Sequence, residues 1–291
     1  MASILPTHKT HKRLPLDKVH KLMPLVLANI LIFLVAVAFL FPYIFMAFSA
    51  FKSRLDTFAY PPLLIFKPTL DNFRLIFSDI NILFYMKNSL IVATASSLLT
   101  MAIAIPATYS FARFHFRFKD SLAFGFLFLQ MVPGISIVFA LFYIARTLNL
   151  YDNLIFLIVT YLLWNIPYAI WILRGFVEAI PVELEEAAMV DGCSRFTAFL
   201  LITLPLMGSG LIASTILIFI GAWNEFSLAY FLTSTEARTM PTTIAFFMTH
   251  SGIQWGPMFA TAMLGTLPVV VFALLVRRYF ISAMTFGAVK G

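Results

Sequence analysis

Residues 181–205 read PVELEEAAMVDGCSRFTAFLLITLP, an acidic and sharply punctuated segment between two long apolar runs. Glu178, Glu183, Glu185, Glu186 and Asp191, five of the chain's 13 acidic residues, lie in or beside it. Its local structure follows from residue type. Pro181 suits the first position of a helix, where the missing N–H costs nothing. Glu183, Glu185 and Glu186 fall in the early turns, where the helix dipole favours anions. Leu184, Ala187, Ala188 and Asp191 recur at helical spacing and make one narrow face of mostly small side chains. Glu183 and Glu186 lie elsewhere on the surface. Gly192 supplies a left-handed stop. A second short helix spans about Ser194 to Thr203, and Pro205 ends it before the next apolar run. Two short helices therefore meet at an angle. Small side chains let a partner's groove come close, and the acids around them can pair with its Arg or Lys. The blander reading is a solvated amphipathic connector.

Outward from this segment the chain is apolar. Of its 291 residues 61% are hydrophobic and only 11% charged, against about 25% charged in a soluble domain. A helix needs about 20 apolar residues to cross a bilayer core. Six stretches qualify: Leu25 to about Phe48, about Ser89 to Phe111, Ser121 to Ala145, Asn153 to Leu173, Leu206 to Leu232, and Pro257 to Val276. The fold class is all-α and integral to a membrane, with six crossings and the lipid bilayer as main solvent.

Lys and Arg set the orientation, because cytoplasmic loops are enriched in them. With the N-terminus inside, 13 of the 20 basic residues fall on the cytoplasmic side. They are Lys9, Lys12, Arg13, Lys18 and Lys21, then Arg113, Arg117 and Lys119, then Arg174 and Arg195, then Arg277, Arg278 and Lys290. The other seven include Lys52, Arg54, Lys67, Arg74 and Lys87 of one long loop. Both termini are expected inside. The basic N-terminus ahead of an apolar run looks like a signal peptide, but the run is too long and no small-residue cleavage site follows. It reads as a first permanent helix.

Two outer loops stand out. In the first, Thr69-Leu70-Asp71-Asn72-Phe73 reads as a cap and short helix leading into the second span. The third, about Thr233 to Gly256, carries Ile244, Phe246, Phe247, Ile253 and Trp255. An apolar loop outside the membrane needs a protein surface to cover it.

Several classes are disfavoured. The formal net charge of +7 does not indicate nucleic acid, because the basic residues sit at the ends of apolar runs. One cysteine, Cys193, makes neither a disulfide framework nor a cysteine-based metal site. The five histidines, His8, His11, His20, His115 and His250, form no zinc signature. No phosphate loop and no G-x-S-x-G nucleophile motif occurs. Enzyme chemistry and a metal site are therefore not expected within the chain.

A resemblance sharpens this reading. Glu186-Ala187-Ala188, three residues, Gly192, nine residues, Ile202, one residue and Leu204-Pro205 together resemble the EAA loop of ATP-binding-cassette importer permeases. Within that family the chain is similar to carbohydrate-importer permeases of the maltose-permease G-subunit kind. Trp164-Asn165-Ile166-Pro167, Leu173-Arg174-Gly175-Phe176, Gly221-Ala222-Trp223-Asn224-Glu225-Phe226 and the tail Phe286–Gly291 support it. The resemblance implies the type I importer permease fold. Residues 1–24 would be a cytoplasmic basic tail, 25–281 the six-helix domain with its coupling loop at about 178–205, and 282–291 a cytoplasmic tail. It implies that Glu185, Glu186, Ala187, Ala188, Asp191, Gly192, Leu204 and Pro205 belong to the surface that docks on a cytoplasmic ATPase, with Glu186 facing a basic residue there and Ala288 to Gly291 reaching the ATPase dimer. The implied partners are a second permease subunit, two ATPase subunits and an extracytoplasmic solute-binding protein, in a bacterial or archaeal cytoplasmic membrane. ATP and Mg would sit on the ATPase, and this chain would hold no cofactor.

Polar groups in hydrocarbon are costly and mark a function or a structural partner. Gln130, Asn165, Trp223, Asn224 and Glu225 are the candidate substrate path, with Tyr161, Trp164 and Trp223 able to stack on sugar faces. The competing reading pairs these groups with each other and with backbone freed by prolines. Gly208 and Gly210 read as packing positions. Met240, Phe247 and Trp255 are the candidate contacts for the binding protein, against a loop resting on its own bundle. The alternative function is a secondary transporter or channel working alone, with Glu225 as the ion-coupling acid. An intramembrane enzyme is a third, more remote reading.

Overall fold

The computed structural model describes residues 16–250 and 252–286. It is a helical protein. The first helix, α1 (Leu16–Ala50), contains Pro24 and Pro42 and begins well before the expected span. Its apolar side chains are exposed from Pro24 to Phe45, Leu31, Phe33 and Phe39 among them. The expected basic tail is thus partly helical, and Lys9, Lys12 and Arg13 lie outside the described residues.

The first loop holds α2 (Arg54–Thr57) and α3 (Asp71–Ser78). The latter is the anticipated short helix, and the Thr69 hydroxyl accepts from the Asp71 N–H at 3.1 Å. Then comes α4 (Ile82–Arg113). One face carries buried Ser89, Ala93, Ser97, Thr100, Ala104 and Thr108. Such small residues at three- and four-residue spacing let helix backbones approach closely. The Ser97 hydroxyl donates to the Ala93 carbonyl at 2.6 Å, which satisfies it within its own helix.

The third span is not one helix. α5 (Lys119–Met131) and α6 (Gly134–Thr147) meet at 92° across Val132-Pro133. Pro133 donates no N–H, and Val132 before it takes extended backbone, as residues ahead of proline tend to do. After it runs α7 (Leu154–Glu178), capped by the Asn153 side chain, which accepts from the Ile155 and Phe156 N–H groups. Pro167 lies within α7 without ending it.

The acidic segment, the expected coupling loop, follows as α8 (Val182–Val190) and α9 (Arg195–Ala198). From α9 the helix continues through a π-turn at Phe199–Thr203 into α10 (Leu204–Leu206). Pro205 therefore does not end it, contrary to expectation. The Leu204 N–H reaches back five residues to the Phe199 carbonyl. This wider turn re-pairs the backbone just ahead of a residue that cannot donate. The break comes at Met207, where the axis turns by 72° into α11 (Gly208–Asn224). α12 (Ser227–Leu232) is a separate short helix. A 3₁₀ stretch at Met240–Phe247 leads to a small antiparallel hairpin, β1 (Met248–Thr249) and β2 (Gly252–Ile253). The last helix is α13 (Trp255–Phe286). It takes in part of the expected C-terminal tail, and residues 287–291 lie outside the described residues.

Hydrogen bonds fix how the ends relate. Asn88, near the start of α4, and Asp152, just before α7, both bond the segment 234–238. Arg113, at the end of α4, bonds the Ile180 carbonyl just past α7 at 2.7 Å. Helices α4 and α7 therefore run side by side in the same direction. The chain leaves α4 at one end and enters α7 at the other, so α5 and α6 together make one crossing. The same reasoning makes the stretch from α9 to α11 a crossing. With each bent pair counted once, the described helices supply six spans.

Three apolar clusters fill the bundle. One centres on Leu157, Tyr161, Trp223 and Leu232, a second on Tyr109, Leu173, Val177 and Phe199. The third joins Ile76, Ile82, Met240, Phe247 and Met258. This third cluster is the surface that covers the apolar outer loop.

Candidate functional site

The acidic segment 181–205 has the two short helices and the Gly192 turn that its sequence implies. Gly192 sits at φ +95°, where a side chain would be strained. Its N–H donates to the Met189 carbonyl at 3.1 Å, and the Cys193 N–H to the Ala188 carbonyl at 3.0 Å. These two bonds close α8 in a Schellman turn. Ser194 caps α9, its hydroxyl accepting from the Thr197 N–H at 3.1 Å. On the outer surface Glu183, Leu184, Glu186, Ala187, Asp191 and Gly192 are exposed, with Ala188 half-buried. Val190 is 86% exposed and Phe196 69%, an apolar pair flanking the turn. Pro205 is exposed and Leu204 half-buried.

Glu185 behaves differently. It is only 4% exposed and points into the bundle. Its carboxylate accepts from the Tyr109 hydroxyl at 2.7 Å, from Arg113 Nε at 2.8 Å and from the Thr203 hydroxyl at 2.8 Å. Burial raises its pKa, but the hydrogen bonds from Tyr109, Arg113 and Thr203 outweigh that and hold the carboxyl below the usual carboxylate range. Grouping Glu185 with the outward docking residues is therefore corrected: it braces the segment from within. Tyr109, Arg113 and Thr203 were not singled out as site residues. Their one sequence signal was the Tyr109 and Arg113 pair, four apart on the last turn of a span.

The polar residues within the bundle separate into two groups. A cavity of about 460 Å³ opens beside the Pro133-Gly134 break, lined by Tyr161, Trp164, Asn165, Glu225 and Ser227 among others. The Tyr161 hydroxyl donates to Glu225 at 3.0 Å, and the same carboxylate accepts from the Leu228 and Ala229 N–H groups. Asn165 and Glu225 thus reach one cavity. The other three candidates do not line it. The Gln130 amide donates to the Trp164 carbonyl at 2.8 Å. The Trp223 indole is buried and donates to the Gly265 carbonyl at 3.0 Å. The Asn224 amide donates to Ile220 of its own helix at 2.9 Å. In all three an N–H group is met by a backbone carbonyl, the arrangement of the competing reading, while Asn224 stays exposed. Gly210 is a packing position, since a Cβ there would lie 2.4 Å from the Phe176 ring, whereas one at Gly208 would meet nothing within 4 Å.

At the opposite end of α4 and α7, Asp152 takes a left-handed conformation (φ +60°). It accepts six hydrogen bonds, from the N–H groups of Ser234, Thr235, Glu236 and Ala237 and the hydroxyls of Ser234 and Thr235. Burial raises its pKa, yet the four backbone donors hold it well below the ordinary carboxylate value. Asp152 was missed in the sequence, because the groups that bond it lie more than 80 residues further along the chain. Met240 and Phe247 are buried, 2% and 1% exposed, so neither can meet another protein; they anchor the outer loop to its own bundle. Trp255 is partly exposed and stacks on Phe259.

The family model for the binding-protein-dependent transport system inner membrane component matches residues 101–285, a range that holds the whole coupling segment. The chain belongs to this family. Its relatives include the trehalose/maltose transport system permease protein MalG of Thermococcus litoralis, 38% identical over 89% of this chain and 94% of that one. The diacetylchitobiose uptake system permease protein DasC of Streptomyces coelicolor is 34% identical over 88% of this chain and 93% of that one. Among solved structures, one from a bacterial ABC transporter involved in the import of the acidic polysaccharide alginate superposes with a TM-score of 0.70. That match, 20% identical, covers 93% of this chain and all of the other. The fold is that of the type I importer permeases, as the EAA resemblance implied, and the chain is a multi-pass membrane protein.

Proposed function

We propose that this chain is one permease half of an ATP-driven, binding-protein-dependent carbohydrate importer. The observation that carries the reading is the α8–Gly192–α9 elbow. It is an exposed strip of small and acidic side chains with an apolar pair at the turn, built on the EAA pattern. Such a strip suits a groove lined by Arg or Lys on a cytoplasmic ATPase subunit. The end of the bundle bearing Glu185 faces the cytoplasm in this reading, supported by Arg113, Arg117, Lys119, Arg174 and Arg195 at or near the helix ends there. Both termini then lie inside. A second permease subunit completes the pathway, two ATPase subunits bind ATP and Mg, and an extracytoplasmic binding protein delivers the solute. This chain hydrolyses nothing itself.

Carbohydrate is the proposed solute class, on the strength of the relatives named for trehalose/maltose and diacetylchitobiose transport. The cavity supports it, since Tyr161 and Trp164 offer ring faces and Asn165 and Glu225 offer polar atoms. That pairing of aromatic and hydrogen-bonding groups is what a sugar's faces and hydroxyls need.

The test is reconstitution. The chain is expressed with the permease, ATPase and binding-protein genes adjoining its own, and the complex is purified and placed in liposomes. The reading expects the ATPase to co-purify and a sugar to be taken up only with ATP. Uptake by the chain alone, driven by an ion gradient without ATP, would instead establish a secondary transporter.

A further inference from the structure

We infer that Glu185 is the positioning residue that makes the coupling segment and the end of α4 move as one body, so that force applied at the docking surface reaches the spans. The inference rests on the proposed docking of that surface to an ATPase.

Three stretches of chain converge on one carboxylate. Tyr109 and Arg113 come from the last turn and a half of α4, Glu185 from α8, and Thr203 from the π-turn that feeds α10 and α11. Arg113 also holds the Ile180 carbonyl in the link between α7 and α8. One guanidinium thus grips both sides of the entry to the coupling helix. Aromatic packing closes the site, with the Tyr109 ring 4.6 Å from Phe199 and 6.1 Å from Phe114. Every group here is satisfied and almost dry within this chain. Hydrogen bonds to a charged partner in such surroundings are short and directional, so relative sliding of the elements would break several at once.

The neighbour makes the contrast. Glu186 is exposed and free to meet a partner. Glu185, one residue earlier, points the other way. Docking and transmission therefore fall to adjacent residues on opposite faces of α8. A carboxylate kept merely to hold α8 folded would not need to bond both the helix before the loop and the turn after it.

The reconstituted importer separates these roles. In Glu185→Gln, an isosteric change that removes the charge, the ATPase is expected to co-purify as in wild type. Solute taken up per ATP hydrolysed should fall at least tenfold, because hydrolysis continues without moving the spans. Tyr109→Phe, which removes one of the three bonds, should fall two- to fivefold in the same ratio, and Glu185→Asp should recover part of the loss. A spin-label pair at Cys193 and His115→Cys should give one narrow distance in every nucleotide state, broadened by Glu185→Gln. An unchanged uptake-per-ATP ratio in Glu185→Gln would overturn the inference. So would loss of ATPase binding in that variant, since Glu185 would then only shape the docking surface. If wild-type chain fails to bind the ATPase at all, the proposed function itself falls, which is a distinct outcome.

Discussion

Two buried or half-buried carboxylates clamp the two ends of the parallel pair α4 and α7, and they do so in opposite ways. Asp152 is met by one contiguous loop, residues 234–237, through backbone N–H groups and their own hydroxyls. Glu185 is met by side chains from α4 and the π-turn, one of them a cation. The first ties a single loop, 82 to 85 residues further along the chain, to the start of α7. The second joins elements separated by 72 or more residues on one side and 18 on the other. Asn88 and Arg113, which mark the two ends, lie roughly 37 Å apart along α4 at helical rise. One clamp therefore joins one loop to the start of one helix, while the other gathers the end of α4, the coupling helix α8 and the π-turn on one carboxylate.

The largest effect expected is at the Glu185 end. Glu185→Gln should leave the complex assembled and cut solute uptake per ATP at least tenfold, as measured in proteoliposomes. If Asp152→Asn produced the same uncoupling, the distinction between the two ends would collapse. Asp152→Asn is expected instead to act locally. An amide cannot accept six bonds and places an NH₂ group against donors. A hydrogen bond to a charged group contributes about 1.5–3 kcal/mol, so amide exchange at Ser234–Ala237 should speed up about tenfold or more, with the uptake ratio close to wild type.

Acidity gives a related check. The folded pKa of Asp152 is depressed, so its stabilisation is complete above its unfolded value of 3.8 and is lost only as pH falls through the lower folded value. Exchange of those amides, corrected for intrinsic rates, should match at pH 7 and pH 5. Loosening already at pH 5 would mean that the clamp is weaker than its geometry implies.

Two glycines sharpen the comparison with smaller effects. Gly210→Ala forces a Cβ against the Phe176 ring. Overpacking of that kind costs about 1–3 kcal/mol and should appear as a lower melting temperature of the purified complex, relieved by Phe176→Leu. Gly192→Ala has open space but must adopt φ +95°, at a cost of about 1–2 kcal/mol. It should weaken ATPase co-purification without lowering the melting temperature as far as Gly210→Ala.

Much of this was legible in the sequence because it is local. Pro181, Gly192 and Ser194 announce the elbow through backbone rules that depend only on their neighbours. The spans followed from apolar length, and Asn153 marked the start of α7. What escaped depends on distant partners. Nothing beside Glu185 distinguishes it from Glu186, since both are early helix acids; Tyr109 and Arg113, more than 70 residues away, and Thr203 hold it inward. Trp223 and Gln130 were named for the substrate path because polarity within a span is conspicuous. The backbone carbonyls that satisfy them, of Gly265 and Trp164, carry no sequence signal. The third span read as one stretch, and although Pro133-Gly134 stands at its 92° bend, a proline fixes only where a helix breaks while tertiary packing fixes the angle. Met240 and Phe247 are ordinary apolar residues whose burial depends on the cluster formed with Ile76, Ile82 and Met258.

The measurement closest to the central claim is ATP-dependent sugar uptake by the reconstituted importer carrying Glu186→Lys. Reversing the charge of the exposed acid on the docking face should leave membrane insertion normal and abolish ATP-coupled uptake. Uptake at the wild-type rate would show that α8 is a solvated connector and that the chain is coupled elsewhere, or to no ATPase at all.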